Sequence, residues 1–426
     1  MSHKDNKMSR RGFLKGSAAA AGLCFGMPTV VPGRVLGAAA PSNRLTVACV
    51  GVGSQGLYNL RNFLHRDNTQ LVAVCDCDRN HLKTGLAEAG LNAAAGYSDF
   101  REVLARGDVD VVVNCTPDHW HAPISLAAVT AGMDVYCEKP LTLTIAEGRR
   151  LAEAVRRYGR VLQNGSQQRS DARFHQAAEW VRNRHIGHLE RVFVEIPANS
   201  RPNPLNWTPE PVPDVLDYEQ WLGPAPYAPY TPQRCHYSFR FITDYSGGQM
   251  TNWGAHHLDI VQWAMGMDDS GPVRIEGQGE IPPRGLFDTA DNVRIQYTYA
   301  SGVSVECRTT PTGSGRIRFE GASGWIEVAR EYLRASDPAL LRAGLGPDDE
   351  RLYRSRHHIQ NFLDCVRSRR EPIAGAEIGH RTATVCHLGN IAVRCGRPLR
   401  WDPAAERFVD DDAANRLLER TPRVRI

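Results

Sequence analysis

The stretch Leu45 to Gly56, LTVACVGVGSQG, decides the reading of this chain, because an apolar run there meets a glycine-rich turn. Five of the six residues from Leu45 to Val50 are apolar, the pattern of a parallel strand covered on both faces. Gly51, Gly53 and Gly56 follow as G-x-G-x-x-G, with Val52, Ser54 and Gln55 between them. The first glycine permits a tight turn, the second lets backbone approach a pyrophosphate, and the third lets the next helix pack close. That helix aims its N-terminal amides at the phosphates. A second strand, Leu71 to Val74, leads to Asp76, twenty residues beyond Gly56, where a carboxylate accepts from ribose hydroxyls. Gly51 to Gly56 and Asp76 are therefore expected to bind a dinucleotide. Asp76 would repel a 2′-phosphate and favours NAD, while Arg79 nearby keeps NADP open.

Working outward, Leu57, Leu60, Phe63 and Leu64 repeat at helical spacing before the Asp76 strand, which completes one βαβ unit. A strand over Val109 to Val113 runs into Asn114-Cys115-Thr116-Pro117, Pro123 opens a helix, and Asp134 to Cys137 forms the next strand. Thr144 and Glu147 make a capping box, Gly159 stops that helix, and Arg160 to Gln163 is a last strand. Alternation of this kind predicts an α/β fold with a parallel, doubly wound Rossmann sheet over residues 41–165. Ligands bind such sheets at the carboxyl ends of strands, where Thr116, Pro117 and His121 fall, as do Glu138 and Lys139. His119 and His121 read as framing the nicotinamide; no metal site is expected there, nor at Cys75-x-Cys77, which lacks a second ligand pair.

From Ser166 to the end, short alternating strands with glycine turns predict a second α/β domain with a large, mostly antiparallel open sheet: Arg191 to Ile196, Val293 to Tyr299, Val303 to Arg308 and Arg316 to Phe319. Between Pro197 and Pro232 ten prolines accompany Trp207, Tyr218, Trp221, Tyr227 and Tyr230. This segment reads as a rigid wrapping loop or oligomer contact, or else as an aromatic wall for stacking a sugar.

The 426 residues carry a net charge of +4, but Lys4, Lys7, Arg10, Arg11, Lys15 and Arg34 against Asp5 place +5 of it in the first forty positions. The remainder is near −1, which leaves no basic patch for nucleic acid. The run Ser9-Arg10-Arg11-Gly12-Phe13-Leu14-Lys15, followed by small apolar residues to Val31 and by Ala38-Ala39-Ala40, resembles a twin-arginine export signal with its cleavage site. The apolar run is too short and too broken by Gly and Pro to span a membrane. A periplasmic or extracellular protein without a stable membrane anchor follows. Twin-arginine export carries folded proteins, which suits one that collects a cytoplasmic nucleotide before leaving. The ten cysteines after the signal, several in expected core strands, read as small hydrophobes and not as disulfide partners.

After the signal only Lys83 and Lys139 remain against more than forty arginines, so a lysine at a strand's carboxyl end looks chosen. Arginine does not give up a proton near neutral pH, whereas a half-buried lysine can. The alternative is a structural lysine paired with Glu138.

The glycine turn, Thr116-Pro117 with His121, Glu138-Lys139-Pro140, and Gly247-Gly248 leading into Asn252-Trp253-Gly254-Ala255-His256 and Asp259 together resemble the Gfo/Idh/MocA oxidoreductases. The resemblance covers nearly the whole chain after the signal. It implies an NAD(P)-binding Rossmann domain joined to an open-sheet domain, and oxidation or reduction of a carbinol carbon in a sugar or cyclitol. It places Lys139 beside the nicotinamide and the reacting hydroxyl, and matches His256 to the family's acid-base histidine. His256 and Asp259 share a helix face, with His257 turned away, so one histidine is expected in the pocket. Many members carry aspartate where this chain has Asn252; an amide orients a neutral imidazole without stabilising an imidazolium, so Lys139, or else Asp259 or Asp244, is expected to compensate. Arg169, Arg240 and Tyr245 are candidate substrate contacts, each equally able to be a surface or interface residue.

Outside the cytoplasm no dinucleotide pool exists, so the cofactor is expected to stay bound. An oxidoreductase with tightly bound cofactor, a redox-neutral NAD-dependent glycosidase, and a non-catalytic sugar-binding protein on the same frame all remain open. An open sheet with an exposed face also suggests a homodimer or homotetramer.

Overall fold

The strand β1 (Leu45–Val50) lies at the middle of a six-stranded parallel sheet. The structure, a computed structural model, describes residues 43–424 except 312, 314 and 343; the twin-arginine run and Ala38-Ala39-Ala40 lie outside the described residues. Helix α1 (Ser54–Leu64) leads to β2 (Thr69–Cys75), and α2 (Arg79–Ala89) to β3 (Gly96–Tyr97). β4 (Val111–Asn114), α3 (Asp118–Thr130), β5 (Asp134–Cys137), α4 (Ile145–Arg157) and β6 (Leu162–Asn164) complete the layer. Strand order is β3-β2-β1-β4-β5-β6, which reverses between β1 and β4 and opens a crevice at their carboxyl ends. Alternation along β1 explains why both faces are buried: Ala48 and Val50 enter one core and Val47 and Cys49 the other.

The expected strands and the Thr144–Glu147 capping box are present. One helix differs. α3 begins at Asp118, capped by Pro117, and Pro123 lies inside it. The turn ahead of that proline is held by tertiary contacts, since the Trp120 indole donates to the carbonyls of Gln220 and Trp221 at 3.0 and 3.1 Å.

After α5 (Ala172–Arg182) the chain builds a nine-stranded sheet. Its members are β7 (Leu189–Pro197), β8 (Arg274–Glu280), β9 (Asp291–Thr298), β10 (Ser304–Thr310), β11 (Arg316–Gly321), β12 (Gly324–Val328), β13 (Leu333–Ala335), β14 (Leu399–Asp402) and β15 (Arg407–Phe408). The order is β13-β12-β11-β7-β10-β9-β8-β14-β15, antiparallel at every pairing except β7 with β10. One face packs on helix α6 (Gly254–Met265). The other carries a lattice of ion pairs such as Arg294–Glu306 at 2.8 Å and Arg308–Glu195 at 2.7 Å. Helix α7 (His358–Ser368) returns to the parallel sheet, setting Phe362 against Phe63 and Tyr136, before α8 (Ala376–Cys395) runs between the two layers. The second half of the chain thus also covers the first sheet. All ten cysteines among the described residues are free thiols.

Candidate active site

The glycine turn after β1 divides its work among three positions. Gly51 has φ +77° and a Cβ there would stand 2.7 Å from the Thr116 amide nitrogen; a Cβ on Gly56 would meet the Gly51 carbonyl oxygen at 2.0 Å. These two shape the turn. A Cβ on Gly53 would meet nothing nearer than the His81 ring at 3.7 Å, so the space above it is free for a ligand. Ser54 and Gln55 face the same space, but Val52 does not: its side chain is in the core and its amide donates to Asp76 Oδ2 at 2.8 Å. Asp76 Oδ1 accepts from the Asp78 amide at 2.9 Å, which fixes the carboxylate beside the cavity. The cradle therefore fits a dinucleotide: open over Gly53, closed under Gly51 and Gly56, with an oriented carboxylate at the next strand end.

A cavity of about 910 Å³ runs from this turn across the ends of β1, β4 and β5. Thr116, Pro117, His121, Glu138, Lys139, Arg240, Asn252 and His256 all line it, so most of the expected residues converge. Glu138 is buried and anchored by the amides of Gln55 and Asn59 at 3.1 and 2.8 Å. His121 is also fixed, its ring nitrogens 2.6 and 2.8 Å from the carbonyl oxygens of Pro140 and Thr116. Lys139 Nζ donates to the Asn252 carbonyl at 3.0 Å and to its Oδ1 at 2.9 Å. Burial lowers the Lys139 pKa to about 8; Glu138 opposes the shift and Arg240 adds to it. His256 is held well below its usual value by burial and then by the positive charge of Lys139, so it is neutral at neutral pH. Its Nδ1 is buried and has no hydrogen-bond partner among the described residues.

Four expectations need correction. Asn252 touches Lys139 and, through Nδ2, Gln249 at 3.0 Å; it is not bonded to His256. Asp259 does not compensate, because it is buried against Arg169 and Thr382, and Asp244 lies outside the cavity lining. Arg169 is not a cavity residue: its guanidinium is fully buried and spans Asp259 at 2.8 Å and Asp268 at 2.7 Å. Tyr245 is likewise fully buried, packed between the rings of His119 and Trp221. Of the paired histidines, His256 faces the cavity and His257 packs beside Phe174.

The proline-rich segment from Trp207 to Ser246 has its own small core of Tyr218, Trp221, Tyr230, Phe239 and Tyr245. It roofs the crevice. Asp217 N donates to Cys77 O at 2.9 Å and Arg79 N to Val215 O at 2.8 Å, tying it to the end of β2. Trp120 and Ser246, the latter donating to Asp118 at 2.5 Å, tie it to the start of α3. The wrapping-loop expectation describes this segment, although Trp221 also lines the cavity while Tyr227 points out at 70% exposure. At the rim His81 and His236 meet edge to face, each with a possible metal-ligand atom within 4.8 Å of the other and of Asp78. Sequence reasoning missed Arg330, Gln168 and His236 as lining residues. Each lies in a stretch with no motif of its own, and only the proline density hinted at the roof.

A family model described as "Oxidoreductase family, C-terminal alpha/beta domain" (GFO_IDH_MocA_C2) matches residues 203–426, and the family's NAD-binding Rossmann fold matches residues 45–166. The chain belongs to the Gfo/Idh/MocA oxidoreductase family. A twin-arginine signal matches residues 7–24, so this member is exported by the twin-arginine pathway, and no helix among the described residues is long and apolar enough to cross a membrane. It is 29% identical to myo-inositol 2-dehydrogenase of Thermotoga maritima over 76% of this chain and 84% of that one. It is 32% identical to a glycosyl hydrolase family 109 protein of Shewanella pealeana, over 33% of this chain and about a third (35%) of that protein's length. Among solved structures, the fold is shared with the WlbA dehydrogenase of Bordetella pertussis in complex with NADH and UDP-GlcNAcA (TM-score 0.65, 18% identity, 84% of this chain, 99% of that one). It is shared as well with aldose-aldose oxidoreductase of Caulobacter crescentus (TM-score 0.63, 22% identity, 84% and 99%). This Gfo/Idh/MocA member thus has the Rossmann sheet and the second, mostly antiparallel sheet that its sequence implied.

Proposed function

We propose that the protein is an NAD(P)-dependent oxidoreductase that acts on a CH–OH carbon of a sugar, cyclitol or related polyol, in the periplasm or outside the cell, with a cofactor it does not release. The observation that carries this reading is the Lys139 ammonium pinned on Asn252 in the same cavity as the glycine turn, beside a neutral His256 with a spare ring nitrogen. A bound nicotinamide dinucleotide supplies the hydride acceptor. Lys139, with a pKa near 8, exchanges a proton close to working pH, which none of the arginines around it can do. A substrate hydroxyl entering beside Lys139 gives up its proton to the Lys139 amine or to His256 as the carbon is oxidised, and regains it on return. The roof from Trp207 to Ser246 supports retention, because it is fixed by backbone hydrogen bonds on the side where Asp76 would take the ribose.

Denaturing the purified exported protein and weighing the released nucleotide by mass spectrometry tests retention: close to one NAD or NADP per chain is expected. An empty protein that binds neither nucleotide when supplied would falsify the reading and leave a sugar-binding protein. Near-ultraviolet absorbance of the bound nicotinamide then reports which polyols reduce it. The similarity to glycosyl hydrolase family 109 proteins favours one second reading, a redox-neutral glycosidase that oxidises a hydroxyl, loses the neighbouring C–H proton and the aglycone, adds water across the double bond so formed and returns the hydride. Net hydrolysis with carbon-bound deuterium taken up from heavy water would select it.

A further inference from the structure

Two arginines, Arg240 and Arg330, line the cavity with Lys139 and act on its charge. Arg240, in the turn Ser238–Phe241, donates from Nη1 to the Tyr237 carbonyl at 3.0 Å, and its guanidinium lies over the rings of Tyr237 and Phe239, 4.7 Å from each centroid. Arg330, two residues beyond β12, donates from Nε to Gln168 Oε1 at 3.2 Å and lies over the Trp253 ring at 4.4 Å. Neither forms an ion pair with a carboxylate among the described residues; Asp171 and Glu331 act on Arg330 only through space.

Three of the acids that line the cavity make their direct contacts elsewhere, and Asp118 acts on Arg240 only through space. Asp171 is paired with Arg173 at 2.8 Å, Asp118 accepts from Ser246, and Glu138 accepts from Gln55 and Asn59. The molecule's other arginines are often satisfied, as at Arg169, Arg294 and Arg308. A dinucleotide's phosphates belong with the amides after Gly53 and leave these two side chains without a counterion. Stacking on aromatic rings fixes the planes of both guanidiniums and leaves most of their N–H donors unused, a fork suited to a carboxylate. Their field also reaches the reacting groups: both lower the Lys139 pKa, and Arg330 lowers that of His256.

We propose that the substrate is an acidic sugar, of the uronate or aldonate class, whose carboxylate is received by Arg240 and Arg330 while a hydroxyl is presented to Lys139 and His256. This rests on the oxidoreductase reading for the chemistry but not for the binding. A sugar acid could arrive free or as the terminal unit of an oligosaccharide; both offer the same carboxylate.

The test uses the NAD-loaded protein and calorimetric binding of D-glucuronate, D-galacturonate and D-gluconate against D-glucose, D-galactose and sorbitol, with a glucuronate-terminated disaccharide as the arm that separates the two sources. At least one acid is expected to bind about tenfold or more tighter than its neutral counterpart. That ratio is expected to fall to within about twofold in Arg330→Gln and in Arg240→Gln, while nucleotide content stays at the wild-type level. Equal binding of acids and neutral polyols, with a neutral polyol reducing the bound nicotinamide, would overturn the acidic-sugar proposal and leave the oxidoreductase reading standing. Selective acid binding with no reduction of the nicotinamide would support the proposal and count against the reading. Loss of nucleotide in the two variants with the acid preference intact would assign the arginines to the cofactor and overturn it.

Discussion

The two ends of the crevice are held by different means. At the Asp76 end the Trp207–Ser246 roof is tied by backbone hydrogen bonds to the loop after β2, and its aromatic core is buried. At the Lys139 end the wall is made of side chains with capacity to spare: an ammonium near its pKa, an imidazole nitrogen without a partner, and two stacked guanidiniums. Backbone bonds and apolar packing resist opening, whereas charged groups with unused donors exchange protons and ligands. On the proposed function, the first end retains the cofactor and the second reacts.

Truncating the reactive end is expected to have the largest effect. Lys139→Ala should lower turnover by about 10²–10⁴-fold while nucleotide content, weighed after denaturation, stays unchanged. Loss of nucleotide from this variant would break the division between the two ends. Arg169, first read as a substrate contact, belongs to neither: Arg169→Gln strands Asp259 in the core and should cost about 3–5 kcal/mol in denaturant unfolding. A raised KM at unchanged stability would return Arg169 to the substrate.

Trp221→Ala attacks the retaining end. It empties the centre of the roof's core, at a cost of about 3–5 kcal/mol confined mainly to that segment. Nucleotide should then leave on dialysis at least about tenfold faster, with turnover per bound nucleotide little changed; equal retention would mean that the roof does not hold the cofactor. The smallest change is Asn252→Asp. A carboxylate in place of the Oδ1 acceptor, 2.9 Å from Nζ, stabilises the ammonium, so the limb of the pH-rate profile near pH 8 should move up by about 1–2 units. Oxidation below pH 8 would slow as the neutral amine becomes scarcer. An unmoved limb would show that Lys139 is not the group that titrates.

Much of the first sheet was legible because its signals are local. The β1 run, the glycine spacing, Asp76 and the Thr144–Glu147 box each depend on neighbours within a few residues, and each element formed where its pattern lies. Pro123 misled for the opposite reason, since contacts to Trp221, about a hundred residues away, hold the turn ahead of it. The candidate site was legible as a set of residue types at strand ends and not as a set of contacts. Val52 sits in the motif yet offers the cavity no side chain, because the turn at Gly51 carries it into the core that also holds Val47 and Cys49.

The sequence by itself determined the parallel sheet, the phosphate-binding turn, the export signal, and a lysine kept at a strand end in a chain that otherwise carries its positive charge on arginine. Tertiary structure alone decided partners: Lys139 with Asn252, 113 residues on; Arg169 with Asp259 and Asp268; Arg330 on Trp253; and a proline-rich segment laid over the crevice. Periodicity and turn chemistry act within a few residues and leave a trace in the local pattern. The choice of partner for a buried charge is made by whichever groups the packed layers bring within about 3 Å of it, and no short stretch of chain encodes that distance.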